Sequence, residues 1–508
     1  MTFATILFPG AWDGPGEPDE PEFFADLNLG QVVAEITLPF AEYDLTPYFR
    51  VPLTSLDAVA YRQEVLRDLA DPAIGGPVRA FAAGMRAVRE RLALSARLHY
   101  PHQGQRWHLD AAAAYCAAVR GLDEDLRAAA PRSRGVLGLR AHVAAYAAAP
   151  AFEELEAEAA RIGELLAGIA YELHIRGSRI TVRRHRDEPD YSAEVTATFA
   201  KFAQGQPKDY RVAFTEPAEM NHVEAGVLAL VARLHPEVFG PLAEFCERHR
   251  DFTDPVLARF DREVHFYLAH LDWVWRLEEA GLEFCYPRVS RSKHVLARAT
   301  FDAALAGKLA ARGSPVVRND LHLDGDERIL VVTGPNQGGK TTLARAFGQL
   351  HYLASLGCMV PGREAALLLP DAIFTHFEKQ EALADLSGKL GDDLLRVRGI
   401  LSRATGDSVI IMNEIFTSTT LADALFLARN ILREIIAIGA IGVFVTFLDE
   451  IASLGPQTVS MVAAVDPDDP ARRTYQVIRR PADGLAHAMA LAARHGLTYR
   501  QIKERMAP

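Results

Sequence analysis

The sequence predicts an α/β domain with a parallel sheet in the carboxyl-terminal part of the chain, preceded by a mostly α-helical region with a small β excursion. After about residue 286, short apolar runs alternate with helical segments, which is the pattern of βαβ units. Residues 55–170 are dense in Ala, Leu, Arg and Glu, which favour helices. A glycine-rich turn inside the α/β part is the first candidate for a functional site.

This turn follows the apolar run 329–332 and leads into a helical pattern. Its spacing of Gly, Lys and Thr is that of a phosphate-binding loop (P-loop), in which backbone N–H groups surround phosphates, the lysine reaches the β and γ oxygens and the hydroxyl holds magnesium. The positive end of the next helix points at the same phosphates. A chance Gly-Lys-Thr sequence is the alternative, and the flanking strand and helix argue against it. The residues expected to bind nucleotide are Gly334, Pro335, Asn336, Gln337, Gly338, Gly339, Lys340, Thr341 and Thr342.

The bulk composition bounds the class of protein. A length of 508 residues suggests about three units, and 49% apolar residues are ample for their cores. A net charge of −11 argues against coating nucleic acid through bulk charge, although a local basic stripe would suffice for binding. The four cysteines contain no CxxC pair, so neither a zinc cluster nor a disulfide framework is expected. With no signal-peptide pattern and no long apolar run, we expect a soluble, cytoplasmic protein without membrane contact.

Three regions are expected along the chain. Residues 1–50 form an amino-terminal segment with a flexible acidic loop at 13–21, and residues 51–285 form the helical region. Its β excursion, near 171–215, begins with a predicted hairpin at 171–184 and contains a second strand-like piece at 210–214. A helix is expected to start at Asp254-Pro255, a cap residue followed by proline. Residues 286–508 form the α/β domain, which ends in a helical hairpin at 488–506.

A phosphate loop also needs an acid for magnesium and a group that positions water, normally at the tip of a neighbouring strand. The clearest buried strands are 408–412 and 442–446, joined by a helix at about 421–438, and an edge hairpin is expected from 458–462 and 474–478. Glu414 follows the first strand and is the candidate to orient water. Asn413 stands where an Asp is expected and would contact magnesium through water. A strand end that only caps the next turn is the alternative.

The loop at 333–342 closely resembles the P-loop of the MutS family of DNA mismatch-repair ATPases, which belong to the ABC-type class. Further similar segments follow in the family's order: Asn319-Asp320-Leu321, Val360-Pro361, Asn413-Glu414-Ile415 with 417–420, and Val445-Thr446-Phe447 with Glu450-Ile451. The resemblance is strong over about 315–505 and architectural before that. It implies an ABC-type P-loop domain after a helical lever and clamp, ATP and Mg²⁺ as cofactors, Lys340 and Glu414 as catalytic residues, a homodimer, and double-stranded or branched DNA as partner.

Three departures from the family pattern stand near this loop. The family's magnesium-side Asp is Asn413 here, and its sensor His is Phe447, which cannot hydrogen-bond a phosphate or water. Its trans-acting loop appears in degraded form, with Ser387, Gly388 and Lys389 as candidate phosphate contacts. These departures predict ATP binding with slow or altered hydrolysis.

Contact with DNA is expected at a basic cluster on the predicted hairpin, although a solvated charged face is an equal alternative. The cluster comprises Arg176, Arg179, Arg183, Arg184 and Arg186. The family's mismatch-reading module would need about a hundred residues ahead of the helical body, which this chain does not have. The Phe-x-Glu tripeptide of that module matches at Phe40, but it matches also at Phe152 and Phe245, so the match carries no information.

The leading hypothesis is a dimeric, ATP-driven DNA clamp that acts on DNA structures or repair intermediates without mismatch specificity. A nucleotide-gated interaction protein, which binds ATP with little hydrolysis and recruits a partner, is the alternative. A small-molecule kinase has weak support, because nothing resembles an acceptor site or a lid.

Overall fold

The computed structural model describes residues 3–10, 12, 14–186, 191–200, 220–378, 389–466, 473–482 and 503. Among these described residues, those before residue 284 are mostly helical. Its helices are α1 (Phe23–Asp26), α2 (Leu29–Thr37), α3 (Thr46–Arg50), α4 (Leu56–Ala70), α5 (Pro72–Arg97), α6 (Pro101–Ala128), α7 (Arg134–Ala147), α8 (Pro150–Ala167), α9 (Tyr191–Ala200), α10 (His222–Leu234), α11 (Pro236–Arg248) and α12 (Pro255–Glu279), with a 3-10 helix at Leu38–Tyr43.

Helix starts in this region carry recognisable caps. The Asp254 carboxylate accepts a hydrogen bond from the Leu257 N–H (2.9 Å) at the start of α12, and Pro255 occupies the first turn, as predicted. Asn221 and Glu224 form a reciprocal capping box at the start of α10. The two longest helices, α5 and α6, pack side by side as a helical hairpin. Side-chain caps therefore mark where α10 and α12 begin.

The predicted β-hairpin is confirmed. Strands β1 (Tyr171–Arg176) and β2 (Arg179–Arg184) pair antiparallel, with Arg176 opposite Arg179 at the tip. Gly177 supplies the positive φ (60°) that the tight turn requires. The second strand-like piece, 210–214, lies outside the described residues.

The carboxyl-terminal part is a layered α/β domain. Its strands are β3 (Phe284–Cys285), β4 (Arg288–Ser290), β5 (Val295–Thr300), β6 (Asn319–Leu323), β7 (Ile329–Thr333), β8 (Val360–Pro361), β9 (Glu364–Leu368), β10 (Ile373–Phe377), β11 (Val409–Asn413), β12 (Ile441–Val445), β13 (Thr458–Val465) and β14 (Arg473–Arg479). Its helices are α13 (Ala303–Ala310), α14 (Lys340–Ser355), α15 (Lys389–Arg403) and α16 (Leu421–Ile438), with a 3-10 helix at Asp449–Ser453.

The main sheet has the order β10-β11-β12-β7-β13-β14. Its first five strands are parallel, and β14 pairs antiparallel with β13 at the edge, so the predicted parallel sheet and edge hairpin are both confirmed. A smaller sheet, β4-β9-β5-β6, and the pair β3-β8 accompany it. Of the predicted terminal hairpin, only residue 503 is described, and it is helical.

Helix α14, which follows the glycine-rich turn, is almost entirely buried and is held by the amino-terminal part of the chain. Five hydrogen bonds run along it: Arg345 to the Asp26 carbonyl, Gln349 to the Leu27 carbonyl, Tyr352 to the Phe49 carbonyl, the Leu53 N–H to the Ser355 carbonyl, and Arg62 to the Leu356 carbonyl. The hydrophobic core is accordingly continuous between the helical body and the sheet. The division at 50 and 285 stays a prediction.

The described residues contain no helix that is both long and apolar enough to cross a membrane. The cysteines Cys116, Cys246, Cys285 and Cys358 are free thiols, as the spacing predicts. Burial raises the pKa of the Cys358 thiol to about 12, which keeps it protonated at neutral pH.

Candidate nucleotide-binding site

The glycine-rich turn connects β7 to α14, as the sequence predicts. Strand β7 is fully buried between β12 and β13, because its side chains are apolar on both faces. Gly334 has φ of 115°, and a Cβ there would lie 3.0 Å from Ala463. Gly339 caps α14 with φ of 94°, and a Cβ there would lie 3.3 Å from the Tyr475 carbonyl oxygen. The loop therefore needs glycine at both positions, for its conformation and for its close approach to β13 and β14.

Lys340 occupies the centre of the loop. Its side chain is 3% exposed, and its Nζ donates to the Gly334 carbonyl (2.9 Å) and to Asn336 Oδ1 (3.3 Å). The same ammonium lies 3.4 Å from Glu414 Oε1. All three partners are oxygens, so the loop holds the charge of Lys340 where oxygens of an anionic ligand would replace them.

Thr341 and Asn413 meet across the sheet. The Thr341 hydroxyl donates to Asn413 Oδ1 over 3.0 Å. Asn413 ends β11, which is not a direct neighbour of β7, since β12 lies between them. The expectation of a neighbouring strand tip is wrong in this detail: the parallel register brings the ends of all three strands to one edge, so residues two strands apart come into contact.

Glu414 leaves the sheet in a left-handed conformation, with φ of 54°. Its N–H donates to the Val445 carbonyl (3.0 Å), which keeps the residue at the edge of β12. Its carboxylate lies beside Lys340 and is half-buried. A carboxylate beside the lysine of a glycine-rich loop is placed to accept a proton from, or to orient, a water molecule.

These residues fit a nucleoside triphosphate and magnesium. The glycine-dependent loop and the start of α14 present backbone N–H groups to phosphates, and Lys340 supplies a positive charge. The Thr341 hydroxyl and the Asn413 amide oxygen form a pair of neutral oxygens, the ligand type that magnesium and its waters accept. The described residues contain no group of three His, Cys, Asp or Glu side chains suited to another metal site.

Comparison with known proteins agrees with this geometry. The family model of MutS domain V matches residues 330–485. Residues 330–485 belong to the MutS domain V family. DNA mismatch repair protein MutS of Shouchella clausii is 35% identical over 177 residues, which cover 34% of this chain and 20% of that protein. MutS of Chlorobium phaeovibrioides is 29% identical over 226 residues (44% and 25%), and MutS of Thermotoga neapolitana is 28% identical over 244 residues (47% and 29%).

The chain thus matches less than a third of the length of these MutS proteins. The matched family domain includes the P-loop, the Asn413-Glu414 pair and the strand end at Thr446. Within that domain, the P-loop at 333–342 contains none of the departures from the family pattern described above.

Phe447 stands where the MutS pattern has its sensor histidine. The Thr446 N–H donates to the Val332 carbonyl (3.0 Å), so Thr446 lies beside the end of β7, where the phosphate loop begins. The Thr446 hydroxyl accepts from the Leu448 N–H (3.1 Å) and turns the chain away. Phe447 is 48% exposed, so its ring is not a core residue whose replacement would open a cavity.

The degraded trans loop is only partly covered by the described residues. Ser387 and Gly388 lie outside them, and Lys389 is the first residue of α15. Leu390 packs against the hydrophobic cluster on the outer face of the sheet. His376 Nε2 lies 2.9 Å from Asp393, which fixes α15 to β10, and burial lowers the pKa of this histidine.

The hairpin divides the basic cluster between its faces. Because side chains alternate, Arg176, Arg179 and Arg183 share one face, and all three are exposed. Arg184 lies on the other face, where it bonds to the Leu234 carbonyl and pairs with Glu237 (2.9 Å). The fifth residue, Arg186, follows the strand, and its N–H donates to Glu172 Oε1 (3.1 Å).

Two further polar residues lie near the site: Glu378 was missed from the sequence, and Asn319 was noted only as part of a segment similar to the family. Glu378, directly after β10, donates its N–H to the Asn413 carbonyl (3.2 Å) and accepts from Thr417. The sequence did contain a signal for Glu378, because this residue directly follows a strand, as Glu414 does. Asn319 joins β6 to β14 by donating to the Tyr475 carbonyl (3.3 Å) and accepting from the Val477 N–H (2.7 Å). A cavity of about 730 Å³ is lined mainly by β5, β6 and β14, and its lining includes no residue of the phosphate loop.

Proposed function

We propose that this MutS-family protein is an ATP-binding, DNA-binding dimeric clamp that acts on DNA structures or repair intermediates without mismatch specificity. The observation that carries the proposal is the convergence of Lys340, Thr341, Asn413 and Glu414 at one edge of the sheet. The match to MutS domain V and the similarity to DNA mismatch repair proteins support DNA as the partner.

In this proposal each residue has a defined task. Lys340 leaves the Gly334 carbonyl and Asn336 and neutralises the β and γ phosphate oxygens. The Thr341 hydroxyl would hold magnesium, and Asn413 would contact the metal through water. Glu414 orients the attacking water. When bound, the metal ion would supply positive charge to the phosphates. Asn413 is neutral, so it brings no carboxylate to balance that charge.

DNA would be gripped by phosphate contacts. Arg176 and Arg179 face each other at the hairpin tip, with Arg183 on the same face, so their charges can follow a phosphate backbone without reading bases. A grip of this kind needs only a local basic stripe, which is compatible with the overall charge of −11.

Dimerisation is part of the proposal because ABC-type sites are completed across two subunits. Two large apolar side chains on α16, Leu421 and Phe426, are 64% and 65% exposed. Exposed apolar side chains of this size favour a protein–protein contact on that helix.

Mismatch specificity is not proposed. The similarity to MutS proteins covers 20–29% of their length, so their recognition of mismatches is not carried over. The Phe-x-Glu tripeptides at Phe40, Phe152 and Phe245 also have packing roles that account for them. Phe40 lies against His265 and Glu42 pairs with Arg86, while Phe152 and Phe245 are core residues.

A nucleotide-gated interaction protein is the second candidate. Asn413 brings no negative charge to the magnesium side, and Phe447 offers no hydrogen bond to a phosphate or to water. Both residues weaken hydrolysis more than binding. In this candidate, bound ATP changes the shape of the dimer and recruits a partner, with little turnover.

The test is ATP turnover by the purified chain with no DNA, matched duplex, branched duplex and mismatched duplex. The clamp proposal expects DNA to raise turnover, with the mismatched duplex no better than the matched one. Lys340→Ala is the control for contaminating ATPases. ATP binding without DNA stimulation, together with no salt-dependent affinity for DNA, would reject the clamp and favour the second candidate.

A further inference from the structure

Glu378 lies beside the catalytic edge of the sheet. It directly follows β10, whose last residue, Phe377, is opposite Asn413 in the parallel register. Its N–H donates to the Asn413 carbonyl over 3.2 Å and thus continues the ladder by one bond. Thr375 ties β10 to α1 through Asp26 (2.7 Å), and His376 ties it to α15 through Asp393 (2.9 Å), so Glu378 follows a strand that is fixed on both sides.

The loop that Glu378 contacts has an unusual backbone. Glu414 and Phe416 both have positive φ, 54° and 63°, although neither is glycine. Each such residue costs about 1 kcal/mol or more and persists only where its surroundings hold it. One side of the loop is held by the bond from the Glu414 N–H to the Val445 carbonyl (3.0 Å).

The other side is held by Glu378. The Thr417 hydroxyl donates to Glu378 Oε1 over 2.5 Å. A hydrogen bond to a carboxylate is shorter and stronger than one between neutral groups. The two attachments therefore hold the first and the last residue of the strained 414–417 turn.

We propose that Glu378 is a positioning residue for Glu414. Through Thr417 it holds the 414–417 loop in its left-handed path and so keeps the Glu414 carboxylate 3.4 Å from Lys340. Glu378 does not touch the nucleotide in this account. The inference rests on the proposed function, because it assumes that Lys340 binds phosphate and that Glu414 orients water.

Thr417→Val is the variant that tests this arrangement without changing charge. It removes the donor to Glu378, whereas Thr417→Ser retains a hydroxyl and serves as the conservative control. Releasing Glu414 from Lys340 removes a competitor for the phosphates, so we expect Thr417→Val to bind ATP·Mg²⁺ about threefold tighter or more. Single-turnover hydrolysis, measured with enzyme in excess, should fall by about tenfold, while Thr417→Ser should resemble the wild type.

A double-variant cycle with Glu414→Gln decides whether the effect acts through Glu414. In the Glu414→Gln background, Thr417→Val should change neither ATP affinity nor single-turnover rate further. Glu378→Ala should give the same pattern, and Glu434→Ala, an exposed carboxylate on α16, should have no effect. Equal effects in both backgrounds, or no effect on the wild type, would overturn the inference. Wild-type protein that fails to bind ATP would instead reject the proposed function.

Discussion

The Thr341 hydroxyl donates a hydrogen bond to the Asn413 amide oxygen over 3.0 Å, and this contact joins the phosphate loop to the end of β11. An aspartate at position 413 would place a negative charge on the same side of the bound metal. The amide retains the geometry of the contact and removes the charge. In the proposed function, the site therefore binds ATP·Mg²⁺ but holds the metal less strongly than a site with aspartate at this position would.

Restoring the acid tests this account of the metal side. Asn413→Asp should lower the magnesium concentration needed for half-maximal ATP binding by about tenfold, since one charge-assisted contact contributes on the order of 1–3 kcal/mol. Turnover should rise as well. Titration of Mg²⁺ at fixed ATP measures the first effect, and steady-state hydrolysis measures the second. No rise in turnover would remove Asn413 as the cause of slow hydrolysis.

Phe447→His tests the sensor position. Because Phe447 is largely exposed, the substitution should leave the unfolding free energy within about 0.5 kcal/mol of the wild type. A histidine there can hydrogen-bond a phosphate or water, so kcat should rise while ATP affinity stays within about twofold. Phe447→Leu is the control that changes the ring without adding a hydrogen-bonding group. Equal kcat in both variants would contradict a sensor role for this position.

The hairpin predicts a specific change in the salt dependence of DNA binding. Arg176→Ala with Arg179→Ala removes two exposed charges from one face, so the slope of log affinity against log salt should fall by about 1–2. Arg184→Ala is the matched control, because Arg184 pairs with Glu237 on the other face. The slope is measured by fluorescence anisotropy with a labelled duplex. An equal loss in the control would mean that the face of the hairpin does not matter.

His270 predicts how stability depends on pH. It is completely buried, and among the described residues neither ring nitrogen has a hydrogen-bond partner. Burial lowers its pKa to about 3, from 6.5. Below pH 6.5 the unfolded chain therefore binds a proton that the folded chain refuses, so this residue lowers stability as pH falls.

His270→Leu should remove that loss. From pH 6.5 to 4.5 the wild type should lose on the order of 2–3 kcal/mol more unfolding free energy than the variant. Urea denaturation at several pH values measures the difference, and His99→Gln, an exposed histidine, is the control. Parallel stability curves for His270→Leu and the wild type would contradict the assignment.

The elements of the α/β domain could be predicted because each has a local signal. The runs at 408–412 and 442–446 are continuously apolar, as strands covered on both faces must be, and Asp254-Pro255 is a cap with proline behind it. The P-loop residues were predictable for the same reason, since their spacing is local.

Contacts between distant residues could not be predicted. Thr341 and Asn413 are 72 positions apart, and their contact depends on the strand order β11-β12-β7. The pairing of Arg184 with Glu237 removes one member from the expected basic cluster, and nothing local to the hairpin indicates it. The hydrogen bonds that run from residues 26–62 to α14 likewise arise only from tertiary packing.

The most direct test of an ATP-driven clamp is the affinity of the chain for branched duplex DNA with and without ATP·Mg²⁺. We predict that ATP changes the DNA affinity of the wild type at least about fivefold. Lys340→Ala should bind DNA with an affinity that ATP does not change, while Lys308→Ala, an exposed lysine on α13, should behave like the wild type. DNA affinity that is absent, or equally insensitive to ATP in the wild type and in Lys340→Ala, would contradict the account.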